Sequence, residues 1–288
     1  MKLAGLRSIK NAHNESVWAA TWVAATTSRP ALFLTRSLDE SVKLWKSDEL
    51  NLERTNTDHC LGVVAVAAHP SGVIAASASL ASFVRVLDVD INASTATLEA
   101  PPSELWQMQL DPKKDPSHQI RIAARSLSCQ LHGVLMGDDL LVAQCTALFS
   151  VFDVARAKFQ HHLEGHFMPV CSLVYSPINP RMLFSASDDA HVHMYDAEGK
   201  SLVTAMSGHA GWVLSFDASP DGAAIATGSS DRTVMLCDLN MRAAVQTMSN
   251  HADQVWGVAF RPPGGTGVRT GRLASVSDDK SISLYDYS

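Results

Sequence analysis

Apolar residues fall along this chain in short runs, and turn chemistry closes each run. Val213-Leu214-Ser215-Phe216 is followed by Ser219-Pro220-Asp221-Gly222, and Ala224-Ile225-Ala226-Thr227 leads into Ser230-Asp231-Arg232. Thr233-Val234-Met235-Leu236 comes next. Runs this short, bounded by Pro-Asp-Gly or Asp-Arg-Thr, predict β-strands joined by tight turns. Each unit of the pattern holds four such runs. A lone four-stranded sheet cannot bury both faces, so neighbouring units must stack on it.

The pattern recurs. Six runs end at Leu44-Trp45, Leu87-Asp88, Phe152-Asp153, Tyr195-Asp196, Cys237-Asp238 and Tyr285-Asp286, with spacings of 43, 65, 43, 42 and 48 residues. A period near 42 marks one supersecondary unit used repeatedly. Asp39, Asp189, Asp231 and Asp279 each lie six residues before Trp45, Tyr195, Cys237 and Tyr285. Two residues before each aspartate stands a serine: Ser37, Ser187, Ser229 and Ser277. Upstream stands a histidine: His13, His166, His209 and His251. The second unit keeps His59 and Ser79 but has Ala81 in the aspartate's place.

His, Ser and Asp together suggest a catalytic triad. This set occurs four times at one spacing, and a nucleophile is not needed four times. A structural brace is, because a satisfied buried polar network specifies register. No enzymatic activity is expected.

The His…Ser…Asp…Trp spacing, the Gly165-His166 and Gly208-His209 pairs and the Trp/Tyr-Asp ends resemble the WD40-repeat family. That resemblance implies an all-β fold, a β-propeller, in which His, Ser, Asp and Trp form a buried hydrogen-bond chain in each blade. Only the first unit has all four, as His13, Ser37, Asp39 and Trp45. One domain spanning 1–288 is expected. Leu6-Arg7-Ser8-Ile9 reads as a spare strand able to complete the last blade, which removes two sheet edges.

The 65-residue interval fits neither one repeat nor two. Strands are expected over 104–110, 119–123, 128–135, 140–143 and 147–152, fewer than two blades need. The expected architecture is a propeller of seven-blade ancestry with an incomplete third blade. The alternative is a six-bladed ring in which 104–110 joins 140–152 and 111–138 is a long, irregular loop. Loops of that length are uncommon in compact domains.

The bulk numbers narrow the function classes. A formal net charge of −6 offers no electrostatic footprint for nucleic acid, so no direct nucleic-acid partner is expected. Five cysteines without a C-x-x-C pair argue against a zinc knuckle or a disulfide framework. The longest nearly apolar run, Leu140 to Phe152, is too short to span a bilayer as a helix, and no membrane association is expected. His191 and His193 share a strand face without an evident third ligand, so no metal or cofactor is expected. The glycines after Pro262-Pro263 lengthen a turn without the Lys-Ser/Thr of a phosphate loop.

Aromatic residues anchor protein interfaces. Trp18, Trp106 and Trp256 sit near the starts of inner strands and Trp212 lies nearby in its unit, making these four the candidate partner-binding residues. Within the WD40 family, Met1–Leu6, Ser16–Trp22, Gln254–Trp256, Arg261–Gly265 and Leu284–Ser288 resemble the WD-repeat subunits of the Paf1 and superkiller complexes. The resemblance covers roughly 1–110 and 150–288. It implies a non-catalytic scaffold, monomeric within hetero-complexes, in nucleus and cytoplasm. Its partners would be subunits of the Paf1 complex (transcription elongation, histone methylation, flowering time) and of the superkiller complex (exosome-linked mRNA decay). Another WD40 adaptor, such as a ubiquitin-ligase substrate receptor or a histone-tail reader, is the alternative.

Overall fold

The computed structural model describes residues 1–81, 83–99, 132–136, 139–143, 149–153, 158–179, 181–196, 199–263 and 271–288. These residues form strands and turns, arranged as six four-stranded antiparallel sheets. The first sheet is β2 (Val17–Val23), β3 (Leu32–Ser37), β4 (Val42–Lys46) and β5 (Leu52–Asn56). The second is β6 (Val63–Ala68), β7 (Ile74–Ser79), β8 (Phe83–Asp88) and β9 (Ala93–Glu99). The third is β10 (His132–Met136), β11 (Asp139–Ala143), β12 (Phe149–Asp153) and β13 (Lys158–Leu163). The fourth is β14 (Val170–Tyr175), β15 (Met182–Ser187), β16 (Val192–Asp196) and β17 (Ser201–Met206). The fifth is β18 (Val213–Ala218), β19 (Ala224–Ser229), β20 (Val234–Asp238) and β21 (Ala243–Met248). The sixth joins β22 (Val255–Phe260), β23 (Gly271–Ser277) and β24 (Ile282–Tyr287) to β1 (Leu3–Ile9) from the other end of the chain.

The middle strands are apolar on both faces because each sheet is covered on both sides. Every residue of β3 and β19 is buried. Val17, Phe33 and Trp45 of the first sheet pack with Ala274, Val276 and Leu284 of the sixth. Leu34 and Leu44 of the first pack with Val63 and Ala75 of the second. Phe184 and Met194 of the fourth meet Phe216 and Ile225 of the fifth. In these pairs one sheet's apolar face is satisfied by the next, as repeat stacking requires. The first strands of successive sheets touch, β2 with β6 and β22, β18 with β14 and β22, and β10 with β14. The chain is an all-β propeller.

The spare N-terminal strand does complete the sixth sheet. Leu3 pairs with Tyr287 and Ile9 with Ile282. The Lys2 N–H donates to the Ser288 carbonyl at 2.7 Å, and the Ser288 N–H donates back at 3.1 Å. Gln246 of the fifth sheet grips the same strand, accepting from the Leu3 N–H at 2.7 Å and donating to its carbonyl at 2.8 Å.

The third sheet revises the reading of the long interval. The strands expected at 128–135, 140–143 and 147–152 appear as β10, β11 and β12. β10 falls inside the 111–138 stretch that the alternative leaves as loop. It also takes the sheet edge that the alternative gives to 104–110. The strands expected at 104–110 and 119–123, the incomplete blade built on them and Trp106 lie outside the described residues.

A candidate docking face above four polar clasps

Four sheets carry the same buried clasp. In the first, the His13 ring lies with Nδ1 3.1 Å from Asp39 Oδ2 and Nε2 2.8 Å from Thr35 Oγ1. The Trp45 indole N–H donates to the same Thr35 hydroxyl oxygen at 2.8 Å. Read by donors, the chain runs from indole to threonine hydroxyl, to imidazole, to carboxylate. Asp39 also accepts from the Asn14 N–H at 2.9 Å, the Ser41 N–H at 3.1 Å and the Ser41 hydroxyl at 2.5 Å. One carboxylate therefore ties the loop before β2 to the turn between β3 and β4.

The other three repeat it. His166 Nδ1 is 2.7 Å from Asp189 and its Nε2 2.7 Å from Ser185 Oγ. His209 stands 2.9 Å from Asp231 and 2.7 Å from Thr227. His251 stands 3.2 Å from Asp279 and 2.6 Å from Ser275. Where the first sheet has Trp45, Tyr285 places its hydroxyl 3.2 Å from Ser275. Tyr195 and Cys237 hold that place in the fourth and fifth sheets, both in the buried core.

The structure corrects the role of four residues. Ser37, Ser187, Ser229 and Ser277 do not join the histidine chain. Each accepts the N–H of its aspartate, as Ser37 Oγ does from Asp39 at 3.1 Å and Ser229 Oγ from Asp231 at 3.1 Å. Ser37, Ser187 and Ser277 donate to the loop carbonyls of Glu15, Pro169 and Asp253. The hydroxyl that bridges to the histidine is two residues earlier: Thr35, Ser185, Thr227 and Ser275. The repeated signal in the sequence was Ser/Thr-x-Ser-x-Asp.

Electrostatics favour the ionised carboxylate in all four clasps. Burial alone would raise the Asp39 and Asp279 carboxyls, but hydrogen bonds from His13 and Ser41, and from His251 and Ser281, outweigh it and hold both well below the usual range. Asp231 is held at about 2: burial pushes it up, and the Thr233 and His209 hydrogen bonds more than reverse that. Burial lowers the pKa of His13 and His166, opposed by their aspartates. Buried, internally satisfied groups of this kind have no free nucleophile or base.

His193 stacks on His166 with ring centroids 3.7 Å apart and 7° between planes. His166, Asp189 and His193 bring potential ligand atoms within 4.8 Å of one another. The geometry commits them elsewhere. Both His166 nitrogens serve the clasp, and His193 Nδ1 is 3.0 Å from the Tyr195 hydroxyl.

The candidate docking residues lie above the clasps. Five sheets have a bulge in their first strand, between Val17 and Ala19, Val63 and Ala65, Val170 and Ser172, Val213 and Ser215, and Val255 and Gly257. A bulge re-aims the extra side chain. Trp18 and Trp256 are two such extra residues. Their rings meet at 5.3 Å across the boundary between the first and sixth sheets. Both indoles donate to Asp278, Trp18 at 3.0 Å and Trp256 at 2.7 Å. Both remain half-buried. Asp278 directly precedes the clasp residue Asp279, and no repeated spacing in the sequence marks it as the bridge between the two indoles. Trp212 stands apart and 52% exposed, its carbonyl accepting from the Ser230 N–H of the same loop level. Phe167 and Met168, in the corresponding loop of the fourth sheet, are also exposed.

Repeated four-stranded sheets, stacked face to face and clasped by His–Asp pairs, define a WD-repeat propeller. The family model for the WD domain, G-beta repeat, matches residues 157–196, 199–238 and 242–286. Each matched segment begins on the outer strand of one sheet and ends on the third strand of the next. The chain is 60% identical to the WD repeat-containing protein VIP3 of Arabidopsis thaliana, over 321 aligned positions that cover both chains in full. It is 30% identical to WD repeat-containing protein SL1-17 of Schistosoma mansoni over 96% of each chain. The nuclear distribution protein PAC1 of Komagataella phaffii is 30% identical over 43% of this chain and 24% of its own. The chain belongs to the WD-repeat family, whose members act as protein-interaction scaffolds. The 321 positions against 288 residues leave at least 33 for which this chain has no counterpart to VIP3, most of one repeat.

Proposed function

We propose that this chain is a non-catalytic scaffold subunit of the Paf1 transcription-elongation complex and the superkiller complex, working in nucleus and cytoplasm. The observation that carries the reading is the identity with VIP3 along the full length of both chains. Distinctive chain ends, resembling the WD-repeat subunits of those complexes, support it. The geometry supplies a means: a paired indole platform on Asp278, with Trp212, Phe167 and Met168 exposed at the same loop level. Large aromatics with one polar edge satisfied and one face open are efficient interface anchors. Protein subunits are the partners on this reading, and the role in histone methylation, flowering time and mRNA decay follows from them.

Affinity purification with mass spectrometry tests the assignment. Recovery of Paf1-complex and superkiller subunits is the expected result. Recovery of ubiquitin-ligase subunits instead would replace it with the adaptor reading. Trp18→Ala and Trp256→Ala proteins that remain folded should recover those subunits at reduced yield. Undiminished recovery by both would remove the tryptophan platform from the interface.

A further inference from the structure

The second sheet has the clasp without its carboxylate. His59 Nε2 lies 2.8 Å from Ser77 Oγ, as its counterparts do from Thr35, Ser185, Thr227 and Ser275. Its Nδ1, the nitrogen that faces aspartate in four sheets, is buried and has no hydrogen-bond partner among the described residues. The residue at the aspartate position is Ala81. His59 is only 4% exposed, so an orphaned ring nitrogen here is destabilising. A second orphan stands beside it. Arg85 lies opposite Ser77 in the strand ladder, and its Nε is likewise buried without a partner among the described residues. Its ion pair to Asp58 is long at 3.9 Å. Elsewhere the carboxylate also accepts the N–H of the residue after the histidine, which here is Cys60. Leu61, two residues after His59, and Phe83, two residues after Ala81, are 48% and 39% exposed.

Two buried nitrogens, His59 Nδ1 and Arg85 Nε, without an acceptor among the described residues and beside a methyl group where the other sheets have an acid, suit a carboxylate. Exposed apolar residues beside buried, unpartnered nitrogens suit a peptide better than a free anion, since the flanking residues of a peptide can bury Leu61 and Phe83. We propose that the second sheet takes its carboxylate in trans, from an aspartate or glutamate side chain of a protein partner that enters beside Ala81. That side chain accepts from His59 Nδ1–H and Arg85, while apolar neighbours in the partner cover Leu61 and Phe83. The proposal rests on the reading of this face as a docking surface and adds the chemistry of one contact. It does not depend on which complex the chain joins.

The test uses the full chain and a library of ten-residue peptides (about the length one blade edge can hold). Each carries one aspartate or glutamate between apolar residues, with an asparagine or glutamine twin. The wild-type chain should retain acidic peptides at least about tenfold over their twins, the scale of one buried charge-assisted hydrogen bond. Ala81→Asp, which supplies the carboxylate internally, should erase the preference. Ala81→Leu, which fills the space without charge, should do the same. In nitrogen-15 histidine spectra the retained peptides should move the His59 ring signals and leave His13 unmoved. Equal retention of acidic and amide peptides overturns the proposal, as does a preference that survives both substitutions. Purification of the Ala81→Asp chain separates this from the complex assignment. Loss of Paf1 and superkiller subunits from the wild-type chain sinks the assignment alone, whatever the peptides show.

Discussion

The first and second sheets are built on the same plan and differ at three positions of one hydrogen-bond chain. The first runs Trp45, Thr35, His13, Asp39. The second has Leu87, Ser77, His59 and Ala81 in those places, and only the Ser77–His59 link is made. Yet β6 to β9 pair in the same register as β2 to β5, with the same bulge in the first strand. The clasp is therefore not what makes a sheet form. Apolar stacking between sheets does that, and Val63, Ala75 and Val84 of the second sheet are as buried as their counterparts. What the clasp adds is satisfaction of buried donors and a fixed link between the loop and the turn.

Four changes press on that contrast. The largest effect is expected from Asp39→Ala. It strands the His13 ring and the Asn14 and Ser41 donors together, and should cost roughly 2–4 kcal/mol in urea unfolding. A cost under about 1 kcal/mol would mean that water replaces the carboxylate, and the contrast would lose its meaning. Next is Ala81→Asp, expected to stabilise by about 1–2 kcal/mol by giving His59 the partner the other sheets have. A loss of stability would show that the second sheet has closed over the site.

The third is a pH effect. Burial first, and the Arg85 cation second, hold His59 at about 4. The unfolded chain takes up that proton nearer 6.5, so the stability from a neutral His59 is full above 6.5 and drains as pH falls towards 4. A carboxylate introduced at Ala81 would oppose this shift, so the gain from Ala81→Asp should grow as pH falls across that window. Below it the gain should shrink as the new carboxyl protonates. Denaturant midpoints across that range, with histidine titration by NMR, give the sign. The smallest effect is expected from Trp45→Phe, which removes one indole donor and keeps an aromatic ring. It should cost about 1 kcal/mol by thermal melting.

Much of this was legible in the sequence, and the failures have physical causes. The histidine and aspartate positions stand out because loops and turns keep a constant offset from the strand ends. The hydroxyl was misassigned because Thr35 and Ser37 are two residues apart on one strand and share a face. Which of them reaches His13 depends on how far the loop before β2 folds back, and spacing does not encode that. The Trp18–Asp278–Trp256 bridge crosses from the first sheet to the sixth. A reading that aligns repeats one above another compares Trp18 with Trp256 but cannot bring them together. Likewise Arg85 and His193 occupy one ladder position, opposite Ser77 and Ser185. Only the structure shows one as a cation whose Nε has no partner among the described residues and the other as a stacked ring.

The pairing of β1 with β24 sets the order in which this molecule can be finished. Five sheets are each made from one continuous stretch of chain, so each can assemble soon after its last strand leaves the ribosome. The sixth needs Leu3 and Tyr287 at once. Until β24 is made β1 has no strand to pair with, and the growing molecule carries an open seam. Contacts between chain ends form slowly and leave edges exposed while they wait. Synthesis of β24 thus completes the sixth sheet, and a nascent chain stalled before it would carry five formed sheets and still be adhesive.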